Sequence, residues 1–225
     1  MRVEIIGVPP VEVTGISSSH AGGLAYATDA YLNAGLLVEL QAVGIEIAGV
    51  ARPGLRPEER GSDPIVNLGL YNAEVAKAVV NAIERGAKPV LAGGTCNHLV
   101  GMLSGLQQTY GPTSRIGLVW FDAHGDFNTP KTSYTQMLGG MPVAVSAGLC
   151  YPVWRELAGL EVPLATDRIV FVDVRNLDDK EEALINATAA KVVKSGEQGA
   201  LDEIACAVED LADRVDHIYL HVDAD

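Results

Sequence analysis

The apolar run Gly117 to Phe121 ends in Asp122-Ala123-His124-Gly125-Asp126. Alternate residues of an extended chain lie on one face. Asp122, His124 and Asp126 can therefore converge, and two carboxylates with an imidazole are a ligand set for Mn²⁺, Fe²⁺ or Zn²⁺. A solvated strand-end turn is the plainer use of such residues, but three ionisable side chains at period two behind an apolar strand favour a metal. A second edge is Ile218-Tyr219-Leu220-His221-Val222-Asp223-Ala224-Asp225, where Asp223 and Asp225 share a face with His221 one step further back. Carboxylates and imidazoles gathered from two strand ends repel unless a cation lies between them, and two divalent ions would neutralise this group. A third edge, Gly93-Gly94-Thr95-Cys96-Asn97-His98, has paired glycines that permit a tight strand-to-helix turn. Residues two apart on a helix do not face each other, so Cys96 or His98 can reach the metals, but not easily both.

The elements that would position these residues alternate in type. Strands are expected at Val3 to Val8, Ile45 to Val50, Lys88 to Ala92, Ile116 to Asp122, Arg168 to Val174 and Ile218 to Asp223. Between them, Leu24 to Val43, Asn72 to Arg85, His98 to Gln108 and Leu201 to Arg214 carry apolar residues at helical spacing. Strand, helix, strand repeated is the pattern of a parallel sheet with helical crossovers. Such sheets build their ligand sites at the carboxyl ends of the strands, where these polar residues fall. Pro9-Pro10, Pro53 to Asp63 and the long aperiodic stretch Asn128 to Gly140 read as connections. No repeat or compositional break divides the chain, which reads as one domain over residues 1–225.

With 225 residues, 48% of them apolar, the chain can bury a sizeable core and is not disordered. No apolar run approaches the roughly 18 residues of a membrane span. A net charge of −13, from 16 basic and 29 acidic residues, disfavours nucleic acid and anionic membranes as partners and favours cationic ligands. Cys96, Cys150 and Cys206 are odd in number and widely spaced, which argues for a reducing, cytoplasmic setting.

Taken together, Ile5-Ile6-Gly7-Val8-Pro9, the Gly93-Gly94 edge, Asp122-Ala123-His124-Gly125-Asp126 and Asp223-Ala224-Asp225 resemble the arginase/agmatinase ureohydrolase family over nearly the whole chain. The resemblance implies a three-layer α/β/α fold with a mostly parallel central sheet, a binuclear manganese centre, and urea-releasing hydrolysis of a small cationic guanidino substrate by a metal-bridging hydroxide. It also implies a homo-oligomer, trimer or hexamer. Carried over, Asp122 and Asp223 resemble bridging carboxylates, His124 and Asp225 ligands of one metal, and Asp126 the carboxylate that binds the other metal and holds the hydroxide. Asn128 and Asp178 resemble substrate-binding residues.

Departures from the family are chemical. Gly93-Gly94-Thr95-Cys96 stands where the family has Gly-Gly-Asp-His, placing a thiol at a histidine ligand's position; a soft thiolate moves preference from Mn²⁺ toward Zn²⁺, Fe²⁺ or Co²⁺. A local shift that brings in His98 is the alternative. Gly139 stands where arginases carry a proton-shuttling histidine, which removes a general acid. The sequence stops at Asp225, whereas family members continue through further strands, so the native protein is expected to be longer. Two other readings stand beside the hydrolase. One is a binuclear metallophosphoesterase, which would want Gly-Asn-His after the Asp-x-His; the other is a non-catalytic or altered-metal member acting as a regulatory or assembly subunit.

Overall fold

The computed structural model describes residues 1–8, 26–194 and 200–223. Its strands are β1 (Arg2–Gly7), β2 (Glu46–Ala51), β3 (Lys88–Ala92), β4 (Ile116–Phe121), β5 (Ile169–Val172), β6 (Lys191–Val193) and β7 (His217–Val222). Every pairing is parallel, as expected from the alternation of strands and helices. Among the described residues the strands form two sheets, ordered β2-β1-β3 and β6-β5-β4-β7. The expected central sheet is thus parallel but falls into two hydrogen-bonded sections, with β3 and β7 each at an edge.

Alternation along the strands explains the layers. Ile116, Leu118 and Trp120 of β4, with Ile169 and Phe171 of β5, point into the main core. Val119, Val170 and Val172 point the other way, against Ala207 and Leu211 of the helix α8 (Ala200–Ala212). On β1, Ile6 joins the main core while Val3 and Ile5 pack with Leu36, Leu37 and Leu40 on the opposite face. Strands buried on both faces need continuous apolar sequence, which is why β1, β4 and β5 were legible.

Leu24 and Ala25 of the helix expected from Leu24 to Val43 lie outside the described residues, and the rest is two helices, α1 (Ala27–Asn33) and α2 (Leu36–Ala42). Gly35, with φ of 94°, adopts a left-handed conformation that ends one and starts the other. The next helix, α3 (Pro64–Glu84), begins eight residues before the expected Asn72. Asp63 accepts hydrogen bonds from the Ile65 and Val66 amides at 2.8 and 3.4 Å, and Pro64 occupies the first turn, where its missing N–H costs nothing. Leu68, Tyr71, Val75 and Val79 then form its buried stripe. α4 (Leu99–Tyr110) follows a single 3₁₀ turn at Cys96–His98. Three short helices, α5 (Pro142–Ser146), α6 (Pro152–Ala158) and α7 (Asp179–Asn186), and the three-residue strand β6 were not expected from periodicity, because such lengths hold too few turns or alternations to show one. No helix among the described residues is long and apolar enough to cross a membrane.

Candidate metal centre

The carboxyl ends of β3, β4 and β7 meet. β4 and β7 are direct neighbours with Trp120 opposite His221 and Phe121 opposite Val222, and the Asp223 amide continues the ladder by donating to the Phe121 carbonyl at 2.9 Å. Asp122 therefore lies beside Asp223. Cys96 reaches them from the turn after β3, its thiol donating to Asp223 Oδ2 at 3.0 Å. That turn is tight at Gly94, whose φ is 83° and where a Cβ would lie 2.6 Å from both His98 Cδ2 and Val8 Cγ2.

Cys96, Asp122, His221 and Asp223 each offer a ligand atom, and these atoms all lie within 4.8 Å of one another. Cys96 and not His98 belongs to this group; His98 is buried with its ring 5.1 Å from that of Tyr71. His221 stacks on Trp120 with ring centroids 3.7 Å apart and an interplanar angle of 5°. Its Nε2 is buried and has no hydrogen-bond partner among the described residues. Burial pushes the His221 imidazole down to about 4, which keeps it neutral and able to ligate.

Asp126 is buried beside this group, on a left-handed backbone with φ of 46° that aspartate tolerates better than most residues. Its carbonyl accepts the Val143 and Ala144 amides at the start of α5, at 3.0 and 3.4 Å. Burial, and then the charge of Asp122, raise its carboxyl well above the usual range. The Cys96 thiol is raised for the same reasons, by burial first and then by Asp126 and Asp223. Crowded acids that resist ionisation are what a divalent cation would reverse. The donor set present fits such an ion, and the orphaned imidazole nitrogen is a further reason to expect one.

His124 stands at the rim, its side chain 41% exposed. Its amide donates to Asp122 Oδ1 at 2.8 Å, and its Nε2 lies 3.2 Å from Asn176 Nδ2. Asn128 donates through Nδ2 to Asp178 Oδ2 at 3.2 Å and accepts from Thr132 Oγ1 at 2.8 Å, so the two expected substrate residues touch each other. Asp225 lies outside the described residues. Among the described residues, a Cβ at Gly139 would meet only the Met137 side chain, at 3.7 Å and beyond.

Two participants escaped the sequence reading. Glu181, 4% exposed on α7, accepts the Phe127 amide at 2.8 Å and so ties down the segment that carries Asp126 and Asn128. Asn176 orients His124. Both approach from the β5 side, far along the chain, and no local spacing marks them.

Parallel strands covered by helices on both faces, with a thiol, an imidazole and two carboxylates gathered at their carboxyl ends, define an α/β protein with a candidate metal centre at its strand ends. The model of the arginase family matches residues 2–225, and the chain belongs to that family. It is 31% identical to an arginase of Bacillus caldovelox over 176 residues, covering 76% of this chain and 58% of that protein. An arginase of Bacillus subtilis is 31% identical over 156 residues, 68% of this chain and 52% of that one. The chain thus spans little more than half the length of these relatives. The crystal structure of the Bacillus subtilis arginase superimposes with a TM-score of 0.84 at 25% identity, over 99% of this chain and 75% of that chain. The Bacillus caldovelox arginase does so with 0.80 at 27% identity, over 97% and 74%.

Proposed function

We propose that this chain is the metal-binding part of a cytoplasmic hydrolase that cleaves a linear C–N bond of a cationic guanidino or related amidine substrate with release of urea, in the manner of arginases and agmatinases. The observation that carries the reading is the convergence of Asp122, Asp223 and Cys96 at neighbouring strand ends, with Asp126 buried against them. Two divalent ions, manganese by family and zinc, iron or cobalt as the choices Cys96 opens, would lower the pKa of a water and stabilise the charge of a tetrahedral intermediate. The residues proposed to hold them are Cys96, Asp122, His124, Asp126, Asp223 and Asp225.

The remaining work falls to the protein. Asp126, held by its backbone on the start of α5, accepts a hydrogen bond from the attacking water and orients it. Asn128 and Asp178, paired at 3.2 Å, present an amide and a carboxylate to the polar parts of a cationic substrate. The net charge of −13 draws such a substrate in. With Gly139 in the loop, the proton for the leaving amine must come from another group or from solvent.

The test is urea release by the full-length protein, reconstituted separately with Mn²⁺, Zn²⁺, Fe²⁺ and Co²⁺, from arginine, agmatine, guanidinobutyrate and N-hydroxyarginine. Turnover that falls at least about a hundredfold in Asp126→Asn supports the reading. Bound metal without turnover on any of these moves the assignment to a regulatory or assembly subunit. Light scattering on the same sample reads the trimer or hexamer that the family resemblance implies.

A further inference from the structure

We propose that Cys96, Asp122, His221 and Asp223 form one four-ligand site that prefers zinc or cobalt(II) to manganese, with His221 as a ligand. The proposal rests on reading this sheet end as a metal centre, but it does not depend on turnover.

Geometry is the first support. A tetrahedral zinc with bonds of about 2.0–2.3 Å sets its ligand atoms roughly 3.3–3.8 Å apart. The four atoms here lie within 4.8 Å of one another before any ion draws them in, and Cys96 Sγ and Asp223 Oδ2 are already at 3.0 Å. The second support is His221 itself. It follows Tyr219 and precedes Asp223 at period two on β7, so it faces the same side as the acid beyond it. Its ring is set by stacking on Trp120, whose own indole N–H is engaged by the His124 carbonyl at 3.2 Å. A buried imidazole nitrogen with no partner among the described residues costs stability unless something satisfies it, and an ion on that nitrogen would.

Donor chemistry supplies the preference. Sulfur and imidazole nitrogen suit zinc and cobalt, whereas manganese favours oxygen. Binding transfers the Cys96 thiol proton to solvent and leaves a thiolate on the ion. The ligands come from the ends of β3, β4 and β7, and β3 belongs to one sheet while β4 and β7 belong to the other.

The experiment uses the full-length protein stripped with a chelator and titrated with Co²⁺, with Zn²⁺ and Mn²⁺ as competitors. One equivalent of Co²⁺ is expected to produce a near-ultraviolet thiolate-to-cobalt charge-transfer band. Zn²⁺ should abolish that band and Mn²⁺ should not, and Zn²⁺ or Co²⁺ should raise the melting temperature more than Mn²⁺. Cys96→Ser removes the band. His221→Gln weakens Zn²⁺ binding more than about tenfold, since loss of even an outer partner of a metal ligand costs 10–100-fold. Circular dichroism of each stripped variant checks its fold, and if a variant does not fold, the wild-type competition decides alone. Absence of the band, its loss to Mn²⁺ as readily as to Zn²⁺, or unchanged Zn²⁺ affinity in folded His221→Gln overturns the proposal. Urea release without the band would overturn this site and leave the hydrolase reading standing; the band without urea release would do the reverse.

Discussion

Replacing Glu181 by alanine is expected to loosen the segment that carries Asp126. Glu181 is 4% exposed; Oε1 accepts the Phe127 amide at 2.8 Å and Oε2 the Asp178 amide at 3.4 Å. Truncation strands the buried Phe127 N–H, at about 1–3 kcal/mol, and removes a contact at the start of α7 worth about 0.5–2 kcal/mol. Relief from burying a carboxyl offsets part of this, since burial raises the Glu181 pKa above its ordinary value while the two amides pull it down. The net loss is about 2–3 kcal/mol, which at a slope of about 2 kcal/mol per molar lowers the urea midpoint by roughly 1–1.5 M. Trp120 and Trp154 are both fully buried, so their fluorescence reports the transition. Glu181→Gln keeps an acceptor and should cost less than about 1 kcal/mol. Because the folded pKa is raised, the folded protein holds a proton that the unfolded chain gives up near pH 4.3, so wild type loses stability relative to Glu181→Gln as pH rises through the folded value. A midpoint for Glu181→Ala within about 0.3 M of wild type would refute the assignment of Glu181 as the support of this segment.

Gly94→Ala places a methyl 2.6 Å from Val8 and His98 on a backbone with φ of 83°; left-handed strain and overpacking together should cost about 2–4 kcal/mol in urea unfolding, and under about 1 kcal/mol would mean that the turn relaxes. Of the three free cysteines, Cys206 is exposed while burial pushes Cys150 up to about 12 and Cys96 well above its usual value. An aromatic disulfide at pH 8 should therefore label Cys206 rapidly and the other two only after unfolding, and rapid labelling of all three would contradict the burial. Asp216 accepts from the Arg115 side chain at 2.6 Å and its amide at 2.8 Å, which holds its carboxyl down at about 2. Its contribution is present above the unfolded value near 3.9 and lost as pH falls toward 2, so Asp216→Asn should flatten acid unfolding in that window, measured by melting temperature against pH.

Local order carried much of this protein into view. β1, β4 and β5 are buried on both faces, so their apolar runs announce them, and Asp122-Ala123-His124-Gly125-Asp126 marks a strand end without any knowledge of neighbours. The family likeness rests on the same short motifs, which is why it could be read before the fold. What needed the tertiary structure depends on distance along the chain. Cys96 and Asp223 are 127 residues apart and meet only because β3 and β7 bring their ends together, which groups the Cys96 thiol with the carboxylates. Glu181 reaches Phe127 across 54 residues, and its place in an ordinary helix start concealed that contact. His221 read as one step behind two aspartates; its stack on Trp120, and a ring nitrogen with no partner among the described residues, emerge only once β4 and β7 lie side by side. Periodicity records which way a side chain points relative to its own element, whereas a ligand set is defined by what the other elements place opposite it.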